Sequence, residues 1–274
     1  MRTPAFVQYK GGDLSCSGNL SAYPDGSQYA VVDPMTADHK MRVASISKVV
    51  IGMDAMCLRE DGIVDLEAPV GTYWGANFRN PYYPNTPVNI RGILTHTSSI
   101  VMDEASSAYN AGSVRQRQSG FSGYSHVVPG SLSSWGYNNY AFGLLGLTLE
   151  RAAGRTMDQM LHRYFFDALA IDGGFYPGDL ADTSRLVTLY NHSGGVERST
   201  AAQRNMHAGA AGSSGSYFAG GLTISANDLA KLVALLASDG EYEGLRLLSG
   251  ESVALMESRS ARTVSEGFYQ AFPG

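Results

Sequence analysis

Cysteine is nearly absent. Two occur in 274 residues, Cys16 and Cys57, and neither sits in a CxxC pair or in a Cys/His spacing suited to a metal. That excludes a disulfide-stapled scaffold and a zinc centre, so no metal is expected. An excess of charge of one sign is missing too: 20 basic and 25 acidic residues leave a formal net charge of -5 without a long basic run, and no nucleic-acid partner is expected. Nowhere do about 18 apolar residues run together, which excludes a helical membrane segment in this chain. The opening stretch, MRTPAFVQYKGG, lacks the apolar core of a secretory signal. What is present, 44% hydrophobic and 16% charged residues, is the composition of a globular domain long enough to bury a large core.

Residues 1 to 44 read as short strands and turns, with FVQY and YAVV separated by Gly, Asp and Ser. From Ser45 the pattern becomes helical through Leu58, apolar on most sides, stopping near Asp61-Gly62; a helix of that kind is buried. Cys57 lies in its apolar run and reads as a small buried hydrophobe rather than half of a disulfide with Cys16. Residues 71 to 88 and 104 to 135 read as loops, the second lining a surface cleft. Helices follow over Tyr140 to Ala153, ended by Gly154, and Met157 to Leu169, with Thr156 as N-cap. Asp182 to Tyr190 reads as a short helix. Asn227 to Ser238 starts from a Ser225 cap and places Leu229, Leu232, Val233, Leu235 and Leu236 on its apolar side, and a last helix covers Glu251 to about Glu257.

Chemistry enters with Ser45 and Lys48. Three residues apart at the start of a helix, the two side chains share a face, and the hydroxyl stands at the positive end of the helix dipole with an amine beside it to take its proton. Ser-x-x-Lys is common by chance on solvated helices. Here, however, Lys48 is the only charge between Arg42 and Asp54, where an unpaired ammonium is costly. A second group is Tyr137-Asn138-Asn139, between Pro129-Gly130 and the helix at Tyr140. A phenol beside an ammonium has its ionised form favoured, so Tyr137 can exchange the Ser45 proton, and Asn139 can orient Lys48 and a substrate amide. Alternatively Tyr137 is a surface residue and the two Asn residues cap the next helix.

Val43-Ala44-Ser45-Ile46-Ser47-Lys48, Leu94-Thr95-His96-Thr97-Ser98, Tyr137-Asn138-Asn139, Gly143-Leu144-Leu145-Gly146 and Ala219-Gly220-Gly221-Leu222 with Asp228-Leu229-Ala230 occur in that order. Together they resemble the class C β-lactamase family and its relatives, the D-alanyl-D-alanine carboxypeptidases and esterases. The resemblance implies an α/β (α+β) fold of the β-lactamase/transpeptidase type: an antiparallel sheet flanked by helices, with a mostly helical lobe inserted. One catalytic domain is expected over 1–274. Residues about 1–60 and 215–274 would form the α/β lobe and about 61–214 the helical and loop lobe, with Ser45 between them.

It further implies a serine hydrolase with an acyl-Ser45 intermediate, Lys48 and Tyr137 as proton carriers, and Asn139 with Ser45 as substrate-binding residues. The Ser45 N–H would be one oxyanion donor. No metal or organic cofactor is needed, the partner is a small-molecule or peptide substrate (β-lactam, D-Ala-D-Ala peptide or small ester), and an extracytoplasmic location is expected. His96 reads as a structural residue that holds a loop by hydrogen bonds, and Ser99 stands where relatives commonly have Gly. The family's third motif, Lys or His followed by Thr or Ser and then Gly, should come after Gly220-Gly221, and none does. His192-Ser193-Gly194 precedes that point and reads as a coincidence. The chain is therefore expected to lack the closing strands, and with them a second oxyanion donor whose loss costs on the order of a hundred- to a thousandfold in rate. The competing expectation is a penicillin-recognising scaffold without turnover.

Overall fold

The computed structural model describes residues 35–101, 110–191, 195–215 and 217–258. A short strand, β1 (Lys40–Arg42), leads through a 3-10 turn at Ala44–Ile46 into α1 (Ser47–Glu60), which buries every residue from Val50 to Leu58. There follow α2 (Ile90–Leu94), α3 (Ala111–Gln118), α4 (Asn139–Ala153), α5 (Met157–Leu161) and α6 (Asp167–Leu169). After β2 (Leu189–Tyr190), β3 (Val196–Arg198) and α7 (Thr200–Arg204) come β4 (Thr223–Ser225), α8 (Ala226–Ala237), β5 (Glu241–Tyr242), β6 (Leu245–Arg246) and α9 (Gly250–Glu257). None of the described helices is long and apolar enough to cross a membrane.

The helix boundaries follow from capping chemistry. Asn138, Ser225 and Ser249 accept backbone N–H groups from the first turns of α4, α8 and α9, and Thr156 with Gln159 forms a reciprocal capping box on α5. Gly154 ends α4 in the left-handed conformation, φ 64°, where a side chain would be strained. Each N-cap supplies an acceptor to N–H groups that have no partner inside the helix, worth about 1 kcal/mol apiece, whereas Gly154 N donates to Glu150 O at the other end of α4.

Two elements differ from the sequence-based expectation. The stretch expected as one loop from 104 to 135 contains α3, whose only buried residues are Val114 and Gln118; Asn110 caps it by accepting from Ser113 N, and the Arg115 guanidinium donates to Trp74 O. With one apolar residue turned inward it carries no periodic stripe. The short helix expected over Asp182 to Tyr190 is instead a turn at Thr183–Leu186 followed by extended chain, drawn alongside β1, where Lys40 N donates to Arg185 O and Val187 N to Lys40 O. Asp172 fixes its start, accepting from Ala181 N, Asp182 N and the buried Lys40 ammonium. Long-range backbone pairing there outcompetes weak local helix propensity.

Smaller corrections follow the same logic. The helix expected over Met157 to Leu169 opens into a π-helical turn at His162–Phe166, which sends Phe165 and Phe166 together into the core. Val233, expected on the apolar side of α8, is 59% exposed, while Leu232 and Leu235 are buried. Cys57 is a buried free thiol; Cys16 lies outside the described residues, as do FVQY and YAVV.

Sheet structure among the described residues consists of three two-stranded antiparallel ribbons, β1-β4, β2-β3 and β5-β6. The first positions the site. Its register, Lys40↔Ser225, Met41↔Ile224 and Arg42↔Thr223, lays the chain just before Ser45 against the chain just after Gly220-Gly221. Val43 N then donates to Leu222 O at 2.9 Å, and Leu222 N to Ser47 Oγ at 3.0 Å. Behind this clip α1 packs on α4. Gly146 of α4 lies so close to the buried Phe218 ring that a Cβ there would come within 2.1 Å of Cδ2, which is a physical use for the second glycine of Gly143-Leu144-Leu145-Gly146.

Candidate active site

Ser45 sits in the 3-10 turn ahead of α1 rather than in the helix itself, and the residue before it is strained. Ala44 has φ 48°, a left-handed conformation that costs an alanine about 1 kcal/mol. The turn is held by Ser47, whose hydroxyl donates to Ala44 O at 2.6 Å while accepting from Leu222 N. That clamp presents Ser45 half-exposed, with α1 extending into the core behind it.

Ser45 Oγ shares a hydrogen bond with Tyr137 Oη at 2.5 Å, and Lys48 Nζ donates to Ser45 Oγ at 3.1 Å. Lys48 is buried. Its second partner is Ala219 O, 2.5 Å away, and its Nζ lies 4.9 Å from the centre of the Tyr137 ring and 5.6 Å from that of Phe142. Burial lowers its pKa from the usual lysine value, against an opposing pull from the Tyr137 hydroxyl. Loss of hydration disfavours the ammonium, so a larger share of the side chain is neutral amine able to accept a proton.

Asn139 is placed differently from the expectation that it orients Lys48. It is the first residue of α4 and exposed, and the Lys48 ammonium is oriented by Ala219 O instead. Its neighbour Asn138 is buried and fully used: its Oδ1 caps α4 by accepting from Ala141 N, and its Nδ2 donates to Ile100 O. The alternative of Asn residues capping the next helix thus holds for Asn138 and leaves Asn139 free to face a ligand.

Tyr137 itself is held by the turn that runs from Leu94 to Ile100. Thr97 O accepts from Gly130 N and Ser134 Oγ, Ser99 O from Ser125 N, and His96 O from Gly136 N. Ser99 has φ 61°, which explains why a glycine suits that position, and His96 has φ 58°. His96 Nδ1 accepts from Asn138 N at 3.2 Å, and burial, followed by the Lys48 charge, lowers the imidazole to about 4. At neutral pH it is uncharged. The sequence signal for this residue was the threonine- and serine-rich turn; nothing local showed that it reaches across to residue 138.

Among the described residues no three His, Cys, Asp or Glu side chains are grouped so as to hold a metal ion. His192-Ser193-Gly194 lies outside the described residues. A serine hydroxyl in contact with both a phenol and a partly desolvated amine, on a strained turn, is an arrangement able to transfer a proton from oxygen as that oxygen attacks a carbonyl.

Comparison with known proteins identifies the family and the fold. Residues 18–273 match the profile of the family described as Beta-lactamase. The D-alanyl-D-alanine-carboxypeptidase/endopeptidase AmpH of Escherichia coli (strain K12) is 25% identical over 154 residues, 55% of this chain and 40% of that protein, so the chain spans less than half the length of this curated relative. The octameric penicillin-binding protein homologue from Pyrococcus abyssi superposes with a TM-score of 0.64 at 18% identity, over 85% of this chain and 51% of the other. The D-amino acid amidase from Ochrobactrum anthropi SV3 gives 0.56 at 22% identity, over 83% and 64%. The fold is that of the β-lactamase/transpeptidase type.

Proposed function

The chain belongs to the β-lactamase family, and from that premise we propose that it hydrolyses an amide or ester by transferring the acyl group to Ser45 and then to water. The observation that carries this reading is the contact of Ser45 Oγ with both Tyr137 Oη and Lys48 Nζ. As Ser45 Oγ bonds to the carbonyl carbon, its proton passes to the Lys48–Tyr137 pair, and the pair then protonates the departing nitrogen or oxygen as the carbonyl–leaving group bond breaks. A water molecule attacks the acyl-serine in the second half and Ser45 regains its proton. Which of Lys48 and Tyr137 takes the first proton is open within this proposal, because both lie on Ser45 Oγ. The lowered Lys48 pKa supports the amine as acceptor.

Substrates of the proposed reaction are β-lactams, D-Ala-D-Ala peptides or small esters, with Asn139 exposed where it can meet a substrate amide. The activities of these relatives, a carboxypeptidase/endopeptidase and an amidase, support an acyl-transfer substrate of that range. An extracytoplasmic setting belongs to the same proposal. So does the division into a lobe of about residues 1–60 and 215–274 and another of about 61–214, which the β1-β4 pairing supports by joining the first lobe's two parts.

The test is intact-protein mass after incubation with a fluorescent penicillin and, separately, with an activated ester such as p-nitrophenyl acetate, on wild type and Ser45→Ala. An adduct on wild type alone is expected, and its decay rate sorts hydrolysis from trapping. Wild-type protein that stays unmodified by both probes while folded would favour a non-catalytic scaffold.

A further inference from the structure

One residue brackets Tyr137 from both sides along the chain. His96 O accepts from Gly136 N at 2.9 Å and His96 Nδ1 accepts from Asn138 N at 3.2 Å, so the N–H groups of the residues on either side of Tyr137 are both tied to the same residue. The imidazole also lies against the phenol, ring centres 4.8 Å apart at 39°, and against Phe142, 5.0 Å away. The geometry points to His96 as a positioning residue for the proposed acyl transfer, holding Tyr137 where its hydroxyl meets Ser45 Oγ. The inference rests on the acyl-serine reading for its catalytic consequence, but the bracket itself is a statement about hydrogen bonds.

Two features favour histidine at this position over another residue. The backbone is left-handed, φ 58°, a conformation in which His, Asn and Gly are enriched. The side chain must also accept, since the Asn138 N–H precedes the first turn of α4 and needs an acceptor. An imidazole accepts at Nδ1 only while that nitrogen is unprotonated, with Nε2 carrying the hydrogen. The charged and titratable groups that face the ring are Lys48 from α1 and Tyr137 from the preceding loop, and Phe142 of α4 closes the apolar side. Burial and the Lys48 charge keep the imidazole neutral down to about pH 4. Below that, protonation would set an N–H donor against the Asn138 N–H and open the bracket.

The experiment combines two variants with a measurement on the wild type. His96→Phe keeps a ring and loses the acceptor; His96→Asn places Oδ1 near the same point and tolerates the left-handed backbone. Ser45 acylation is expected to fall roughly 10- to 100-fold in His96→Phe, the scale of an ångström-sized misplacement of a reacting group, and to stay within about threefold of wild type in His96→Asn. His96→Phe acylating at the wild-type rate would overturn the inference. Independently of activity, imidazole nitrogen NMR of the wild type is expected to show an unprotonated Nδ1 at pH 7; a protonated Nδ1 would overturn it as well. Absence of any adduct on wild type with an unprotonated Nδ1 would count against the acyl-serine reading while supporting the bracket.

Discussion

Less than two turns apart on α1, two ionisable side chains are buried under opposite circumstances. Lys48 is 6% exposed and has two polar partners, Ser45 Oγ and Ala219 O, with aromatic faces around its stem. Asp54 is wholly buried, and neither carboxyl oxygen has a hydrogen-bond partner among the described residues. Burial, aggravated by Glu150 across from it on α4, raises the Asp54 pKa well above the ordinary carboxylate value. The lysine end of the helix is thus organised to handle a proton, and the aspartate end keeps one because it has nowhere to put a charge. A polar group left in an apolar interior costs stability; a polar group surrounded by partners beside a half-exposed serine is poised for chemistry.

The largest effect should come from breaking the organised end. Lys48→Ala is expected to reduce Ser45 acylation by about a thousandfold, within the range typical of losing a proton-transfer partner, as measured by adduct formation under single-turnover conditions. Tyr137→Phe removes only the hydroxyl and should lower the same rate by about a hundredfold. Equal losses in the two variants and in the double variant would show that Lys48 and Tyr137 act as one unit.

The disorganised end should respond in stability rather than rate. Asp54→Asn is expected to raise stability in urea unfolding, more at pH 8 than at pH 5, because the unfolded aspartate ionises freely while the folded one is held protonated. A loss of stability in this variant would mean that Asp54 has a partner in solution. The smallest expected effect concerns Glu150. Burial lifts its pKa to about 7, partly offset by hydrogen bonds from Gly212 N and Met157 N, and further raised by Asp158. A raised folded pKa means that the stabilising contribution is fully present below about pH 4.5 and is lost as pH rises through 7. Stability should therefore decline by about 1 kcal/mol between pH 6 and pH 8, and Glu150→Gln should flatten that step.

Elements with strong local signals were legible in the sequence. Helices α1, α4, α8 and α9 have apolar periodicity and a serine, asparagine or glycine at an end, so their boundaries fall within a residue or two of expectation. Helix α3 was not, since its single buried apolar residue, Val114, leaves no stripe to read. The segment from Asp182 to Tyr190 has only weak helix propensity and is held by β1 and Asp172, partners distant in the chain. Within the site, the spacing of Ser45 and Lys48 and the tyrosine before a capped helix were visible. The acceptor Ala219 O was not, because a backbone carbonyl carries no residue-type signal.

Sequence alone determined which groups can do chemistry here: a hydroxyl three residues from an amine at a helix start, a phenol before another helix, and the family that this order of motifs marks. Tertiary structure decided how those groups meet. The β1-β4 register brings Ala219 to Lys48, the His96 turn brackets Tyr137 against Ser45, and Asn138 rather than Asn139 becomes the cap. Caps and periodicity act over a few residues and are written in residue types. The contacts that assemble this site join positions far apart in the chain, largely through main-chain atoms that every residue shares.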